Sequence, residues 1–396
     1  MKIVWNHVRV ITGTGAVLED ASLSYEGNTI LAVKAGEQDG DVVCDGTGKT
    51  MIPGLFDCHV HLGMELPGKH AAQHTSDHTE LGARIMRQCL EFPKYGITSV
   101  RNMGTEQDAD VIVKKSLEET GFPAVRILAS GTAMSITGGH GNPEVGIDGR
   151  DELLKETRRK IKIGADVIKF VVTGGMTTKG SKPGALQYTV EEMAPAVAEA
   201  KLCGKITGAH CTSLEGAKEA IRAGIRSIEH AQLDEETADL MAERMAAYGS
   251  DMFYCPTMVT RYTIIHNTNP EFEWLRKKAK PGDMERKKKA VLLCRERNIP
   301  ICASTDANAP FVSLDAVLKE LELYVGCGLT EMEAIQTATV NAARLCMLDQ
   351  VTGSLEAGKR ADFVVLSANP LENICNLRQV EQTCRDGHVL YQREAQ

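Results

Sequence analysis

The sequence predicts an α/β fold: a (β/α)8 TIM barrel with a small β-sandwich domain built from both chain ends. Three observations predict it. Short apolar runs alternate with helical patterns through the middle of the chain, which makes βαβ units and a parallel sheet. There are eight such runs, the number that closes a barrel, although periodicity alone leaves a doubly wound sheet open. The two ends read instead as short strands separated by turns. The expected division is residues 1–55 plus 355–396 for the β domain and 56–354 for the barrel. A length of 396 residues suits a barrel of about 250 residues plus a smaller unit.

At the N-terminus, Lys2 to Ile11, Ala21 to Tyr25, Thr29 to Lys34 and Asp41 to Asp45 are strand-like runs. Turn residues such as Gly13, Gly15, Gly27-Asn28 and Gly36 separate them. The barrel strands are expected near Phe56–Val60, Thr98–Asn102, Arg126–Ser130, Asp166–Thr173, Ile206–His210, Ser227–His230, Met252–Pro256 and Ile299–Ser304. Between them, Val190 to Leu202 carries Met193, Val197, Ala198 and Leu202 at helical spacing. Thr330-Glu331-Met332-Glu333 is a capping box opening a helix toward Leu345. The basic stretch Lys277 to Lys289 reads as a solvated helix face. At the C-terminus, Asp362 to Leu366 is apolar, and Val380 to Cys384 and His388 to Tyr391 flank the turn Arg385-Asp386-Gly387.

Composition narrows the function classes. The chain has 45 basic and 53 acidic residues, a net charge of −8, and only 5% aromatics. Without a basic stripe or stacking platforms, nucleic acid and anionic membrane are not expected partners. No apolar run of about 18 residues exists, so no membrane span is expected. The 12 cysteines are scattered and form no C-x-x-C pair, and no signal-peptide h-region opens the chain. A cytoplasmic protein with reduced cysteines is the expectation. A homo-oligomer is expected only on base rate.

Six residues at strand ends carry the chemistry. His59-Val60-His61 ends the first barrel strand, and alternation puts both imidazoles on one face. Neutral imidazole ligates zinc and related ions. Lys169 interrupts the apolar run Val167 to Val172, where a charge is costly unless paired or modified. Its neutral amine could take up carbon dioxide as a carbamate, a carboxylate mimic that bridges two metals; the alternative is an ion pair at the barrel mouth. His210, His230 and Asp306 each stand where a strand runs into a loop. Singly they would read as caps, but together they form a set ordered along the strands.

This set resembles the amidohydrolase superfamily, the binuclear type with a carboxylated lysine. The family pattern is H-x-H after strand 1, lysine after strand 4, histidines after strands 5 and 6, and aspartate after strand 8. Here His59, His61, Lys169, His210, His230 and Asp306 match it. The lead-in Met51-Ile52-Pro53-Gly54-Leu55-Phe56-Asp57-Cys58-His59 and the return Gly353 to Val365 also resemble the family, so the likeness spans essentially the whole chain. The resemblance implies two divalent ions, zinc being expected, sharing a hydroxide and N6-carboxylysine at Lys169. It implies His59, His61 and Asp306 on the more buried ion and His210 and His230 on the other. Asp306 would act as general base and then acid. No Ser–His–Asp order or nucleophile elbow appears, which disfavours a covalent acyl-enzyme.

The substrate is approached through the loops. The resemblance places His140, in Thr137-Gly138-Gly139-His140-Gly141-Asn142, against the substrate; a structural histidine is the alternative. Arg261 could clamp a carboxylate and Tyr262 could donate to a tetrahedral oxyanion, surface placement being the plainer account of Arg261. His70, His74 and His78 read as solvated. The texture is similar to the Xaa-Pro dipeptidase-like carboxypeptidases, which implies a dipeptide or N-acyl amino acid substrate. Cyclic amide hydrolysis, as in imidazolonepropionase-like relatives, or lactone hydrolysis is the alternative. A non-catalytic scaffold of the same fold would show gaps among the six positions, and none is missing.

Overall fold

The computed structural model describes residues 1–64, 77–141, 146–178, 180–249, 252–309 and 312–394. Five strands open the chain: β1 (Lys2–Ile11), β2 (Val17–Glu26), β3 (Thr29–Ala35), β4 (Val42–Asp45) and β5 (Thr50–Pro53). Parallel strands follow: β6 (Leu55–Val60), β7 (Ile97–Asn102), β8 (Arg126–Leu128), β9 (Val167–Val171), β10 (Ile206–His210), β11 (Ser227–Glu229) and β12 (Phe253–Cys255). Then β13 (Phe363–Leu366), β14 (Val380–Arg385) and β15 (His388–Gln392) return to the opening strands.

Both ends pair into one eight-stranded sheet, ordered β15-β14-β13-β5-β1-β2-β3, with β4 also on β1. Where the sequence suggested a two-sheet sandwich, the hydrogen bonds give a single sheet. The reason lies in β1. Its register shifts between Trp5 and Val10, and His7 takes φ 57°. The irregularity lets Ile3–Asn6 pair with β4 while Arg9 and Val10 pair with β5. Val8, Val10, Leu23, Tyr25, Phe363 and Val365 form this sheet's core. Strand β5 was read in the sequence only as a lead-in.

The middle of the chain holds two parallel sheets, β6-β7-β8 and β9-β10-β11-β12. Strands β6, β7 and β9 are buried at every position, as parallel strands covered on both faces must be. Backbone contacts cross the gaps between the sheets. Met134 bridges to Phe170, Tyr254 to Ile301, and Val60 to Ala307. The expected eighth strand, Ile299–Ser304, therefore has a neighbour on each side but no regular ladder. Its chain turns away at Asp306, which takes φ 65°.

The helices are α1 (His78–Glu91), α2 (Ala109–Thr120), α3 (Gly149–Ile163), α4 (Val190–Leu202), α5 (Leu214–Ala223) and α6 (Glu235–Tyr248). They continue as α7 (Met258–His266), α8 (Glu273–Arg276), α9 (Asp283–Glu296), α10 (Ala316–Cys327), α11 (Glu331–Thr337) and α12 (Val340–Leu345). Capping boxes form at Thr189/Glu192 and at Thr330/Glu333. The helix expected from Thr330 to Leu345 breaks in two at Ala338–Thr339. The carbonyls of Thr337 and Ala338 there accept the amides of Ala303 and Phe56, so they leave the helical ladder for the strands. The basic stretch is not wholly solvated: Lys287 is only 3% exposed. His78 opens α1 on the surface, while His70 and His74 lie outside the described residues. Among the described residues no helix is long and apolar enough to cross a membrane.

Candidate metal centre and active site

The six strand-end residues converge. His59, His230 and Asp306 each offer a ligand atom, and these atoms lie within 4.8 Å of one another. His61 Nε2 is 3.1 Å and His59 Nε2 3.3 Å from the same Asp306 oxygen. The His230 ring stands 4.7 Å from both the His59 and His210 rings. Lys169 lies beside Gly208 of β10, and its charge is felt at His59, His210 and His230. Lys169 Nζ and His210 Nε2 are buried without a hydrogen-bond partner.

The outer nitrogens are held by the protein. His61 Nδ1 is 3.1 Å from the Gly104 carbonyl, and His59 Nδ1 is 2.9 Å from Glu229 Oε2. His230 Nδ1 is 2.8 Å from Thr257 Oγ1. A carbonyl or carboxylate only accepts, so Nδ1 donates at His59 and His61, and each neutral ring turns a lone pair inward. Those lone pairs face the Asp306 carboxylate. Acceptors face acceptors, which is unstable unless a cation lies among them. Protonating the rings is a poor answer at His59, His210 and His230, since burial holds all three well below the usual histidine value. The residues present therefore fit a bound divalent metal.

The other titrations agree with that picture. Burial lowers the Lys169 ammonium to about 8, against the pull of Glu229. Burial alone would raise the Asp306 carboxyl, but positive charge at the His61, His59 and His210 positions lowers it well below the carboxylate range, so the carboxylate favours a cation in this place. The backbone is also constrained: His230, Thr257 and Asp306 take φ 69°, 45° and 65°. Non-glycine residues rarely adopt such angles, and they concentrate at functional sites.

A second layer, not assigned from the sequence, supports these residues. Arg101 is wholly buried and donates to Glu229 Oε1 at 2.7 Å, Ser227 Oγ at 2.7 Å and the Cys58 carbonyl at 2.6 Å. Glu229 is thereby charged and aimed at His59. Gly208 makes room, since a Cβ there would lie 2.6 Å from Met103 Cε and 3.3 Å from Glu229 Oε1. Asp57 accepts from the amides of His59 and Thr305 and from Thr305 Oγ1 at 2.5 Å, tying the first strand to the eighth. Lys287 Nζ donates to the carbonyls of His230 and Pro256, pinning two strand ends. Charged residues inside apolar runs were the available signal for Arg101, Asp57 and Glu229, the same signal that marked Lys169.

A cavity of about 190 Å³ opens onto the centre, lined by His140, His210, His230, Arg261, Lys287 and Asp306 among others. The His140 ring lies 4.6 Å from that of His210, and its Nδ1 is 2.8 Å from Thr178 Oγ1. A Cβ at Gly175 would meet the His140 ring at 2.4 Å, so glycine lets the imidazole lie against the backbone. Burial lowers His140 to about 4. Arg261 is not a surface residue: its side chain is 16% exposed, and Nη1 is 3.2 Å from Asp283 without hydrogen-bond geometry. Tyr262 does not line the cavity. Successive helical residues point about 100° apart, so with Arg261 inward the Tyr262 ring stacks on His266 and lies under Lys319.

The amidohydrolase family model matches residues 50–390. The chain is 30% identical to ochratoxinase of Aspergillus niger, over 92% of this chain and 81% of that protein. It is 24% identical to imidazolonepropionase of Alkaliphilus oremlandii, over 95% of this chain and 92% of that one. The solved structure of a Xaa-Pro dipeptidase with bound methionine in the active site superposes with a TM-score of 0.88 at 29% identity. That match covers 99% of this chain and 100% of the other.

Proposed function

The chain belongs to the amidohydrolase family, and on that premise we propose that it hydrolyses the amide bond of dipeptides or N-acyl amino acids, releasing the C-terminal amino acid. The observation that carries this reading is the cavity itself. It is lined both by the guanidinium of Arg261 and by His210, His230 and Asp306, with His210 Nε2 buried and unpartnered. One end suits a carboxylate and the other a scissile carbonyl. The names of the Xaa-Pro dipeptidase and the ochratoxinase support the same bond type.

His59, His61, Lys169, His210, His230 and Asp306 would hold two divalent ions, zinc being the expected metal, with Lys169 as its carbamate. When bound, such ions lower the pKa of a coordinated water and polarise a carbonyl. The protein's own part follows from its geometry. Asp306, whose carboxyl lies well below the usual carboxylate range and is therefore ionised, accepts the proton of the attacking water and delivers it to the departing amine nitrogen. His140, neutral on the cavity wall, hydrogen-bonds the carbonyl oxygen as negative charge develops there. Arg261 holds the substrate carboxylate, and Asp283 keeps the guanidinium in place. Glu229 and Arg101 orient His59 and set the local charge. The cross-gap contacts of the strands support a closed (β/α)8 barrel over residues 56–354, with 1–55 and 355–396 as the β unit. All 12 cysteines are free, which supports a reducing, cytoplasmic setting.

The test is a hydrolysis screen of zinc-loaded enzyme against dipeptides and N-acyl amino acids, with Lys169→Ala as control. Release of a free C-terminal amino acid by the native chain alone supports the reading. No turnover by enzyme carrying two metals would overturn it in favour of cyclic amides or lactones.

A further inference from the structure

A second cavity stands apart from the metal centre. It is a cleft of about 790 Å³ between the C-terminal end of α2 and the terminal sheet, and no residue of the proposed active site lines it. Arg126, on its wall, is the first residue of β8, whereas the metal-centre residues stand toward strand C-termini. The cleft is thus at the opposite end of the parallel strands.

Its charge is unbalanced. Arg126, Arg360 and Arg385 all line it. All three converge on Asp386, at 3.4, 3.8 and 2.8 Å. Arg126 also reaches Asp362 at 2.8 Å. Three guanidiniums thus share two carboxylates. Glu118, the other acid on the wall, sits 3.9 Å from Lys114 one helical turn away. The arrangement is held in place from behind. Arg385 Nη1 donates to the Ala124 carbonyl at 2.6 Å, and the Asp386 amide donates to Asp362 Oδ1 at 2.7 Å. Arg385 Nε is buried with no partner, so a donor at this wall is unused. Burial first, and the charge of Arg126 second, lower the Arg385 guanidinium. Ile3, Tyr25, Leu117, Phe122 and Leu390 add apolar surface to a wall that also carries Asn28 and His388, with Phe122 46% exposed.

We propose that this cleft is a binding site for a small organic anion, one carboxylate or phosphate group on an apolar body, held by Arg360 and Arg385 with its body against Phe122 and Tyr25. An anion supplies a further acceptor to three guanidiniums that share Asp386 and Asp362, and one for the unpartnered Arg385 Nε. Neutral analogues gain only the rim contact and bind far more weakly. The site is separate from the catalytic chemistry and does not depend on the substrate assigned above.

The experiment is calorimetric titration of the full zinc-loaded chain with phenyl phosphate, and with benzyl alcohol as the neutral probe. Saturable binding of one phenyl phosphate per chain is expected, with none of benzyl alcohol. Affinity should fall at least tenfold in Arg360→Gln and in Arg385→Gln, and should survive in Lys169→Ala. Among the described residues the one ion pair of Arg360 is the 3.8 Å contact to Asp386, so Arg360→Gln decides the matter if Arg385→Gln fails to fold. Binding that is lost in Lys169→Ala but kept in Arg360→Gln belongs to the metal centre and overturns the proposal. Absence of binding to the native chain overturns it as well.

Discussion

Replacing Arg101 by methionine tests whether the metal centre is electrostatically supported from beneath. Arg101 and Glu229 are both 0% exposed and 2.7 Å apart. At that separation, with an effective dielectric constant of about 20, their attraction is about 6 kcal/mol. Burial of both ions offsets much of it. The relevant quantity is therefore the cost of leaving one partner behind, about 3–5 kcal/mol. Arg101→Met should lower the unfolding free energy by that amount, and Glu229→Gln by a similar one. The double variant buries neither charge and should cost less than the sum, by about 2–4 kcal/mol. The same change has a sign at Lys169. Arg101 lowers the Lys169 ammonium and Glu229 raises it. Arg101→Met therefore raises it, leaves less neutral amine for carbon dioxide, and reduces bound metal. Urea unfolding of the four proteins gives the coupling, and elemental analysis gives the metal. A coupling below about 0.5 kcal/mol, or full metal content in Arg101→Met, refutes the reasoning.

Three further outcomes follow. At fixed dissolved carbon dioxide, carbamate formation on the metal-free chain should accelerate as pH rises and level off above about 8, because the neutral amine fraction grows through that value; mass spectrometry reads the adduct, and a rate still climbing toward the ordinary lysine value of 10.5 counts against a burial-lowered Lys169. Asp306→Asn should lower kcat by about 10²–10⁴-fold with the fold retained, and a loss under tenfold removes Asp306 as the proton carrier. Arg261→Met should raise KM for N-acyl amino acids at least tenfold while leaving their C-terminal amides nearly unchanged; equal loss on both would show that Arg261 does not read the carboxylate.

The residues proposed for the metal centre were legible because each breaks a local rule. Lys169 interrupts a buried strand, His59 and His61 share a face by alternation, and His210, His230 and Asp306 stand where apolar runs stop. The supporting layer was less legible. Arg101 lies 128 residues from Glu229 in sequence, and nothing local says that their charges meet. Tyr262 and Arg261 are adjacent in sequence, but helical rotation sends one into the cavity and the other onto His266 and Lys319. The break between α11 and α12 was hidden for a similar reason: the carbonyls of Thr337 and Ala338 are taken by strands far away in the chain.

The sequence by itself determined the alternation of strands and helices, the order of the six residues proposed for the metal centre and, through them, the family. Those features are local, set by side-chain periodicity and by the cost of placing a charge in an apolar run. Only the tertiary structure decided which nitrogen of each histidine turns inward, which acid holds His59, and that both chain ends share one sheet. It alone placed Arg261 in the cavity and three arginines in a second cleft. These depend on groups far apart in the chain meeting within hydrogen-bonding or ion-pairing distance, where burial makes an unpaired donor or charge costly.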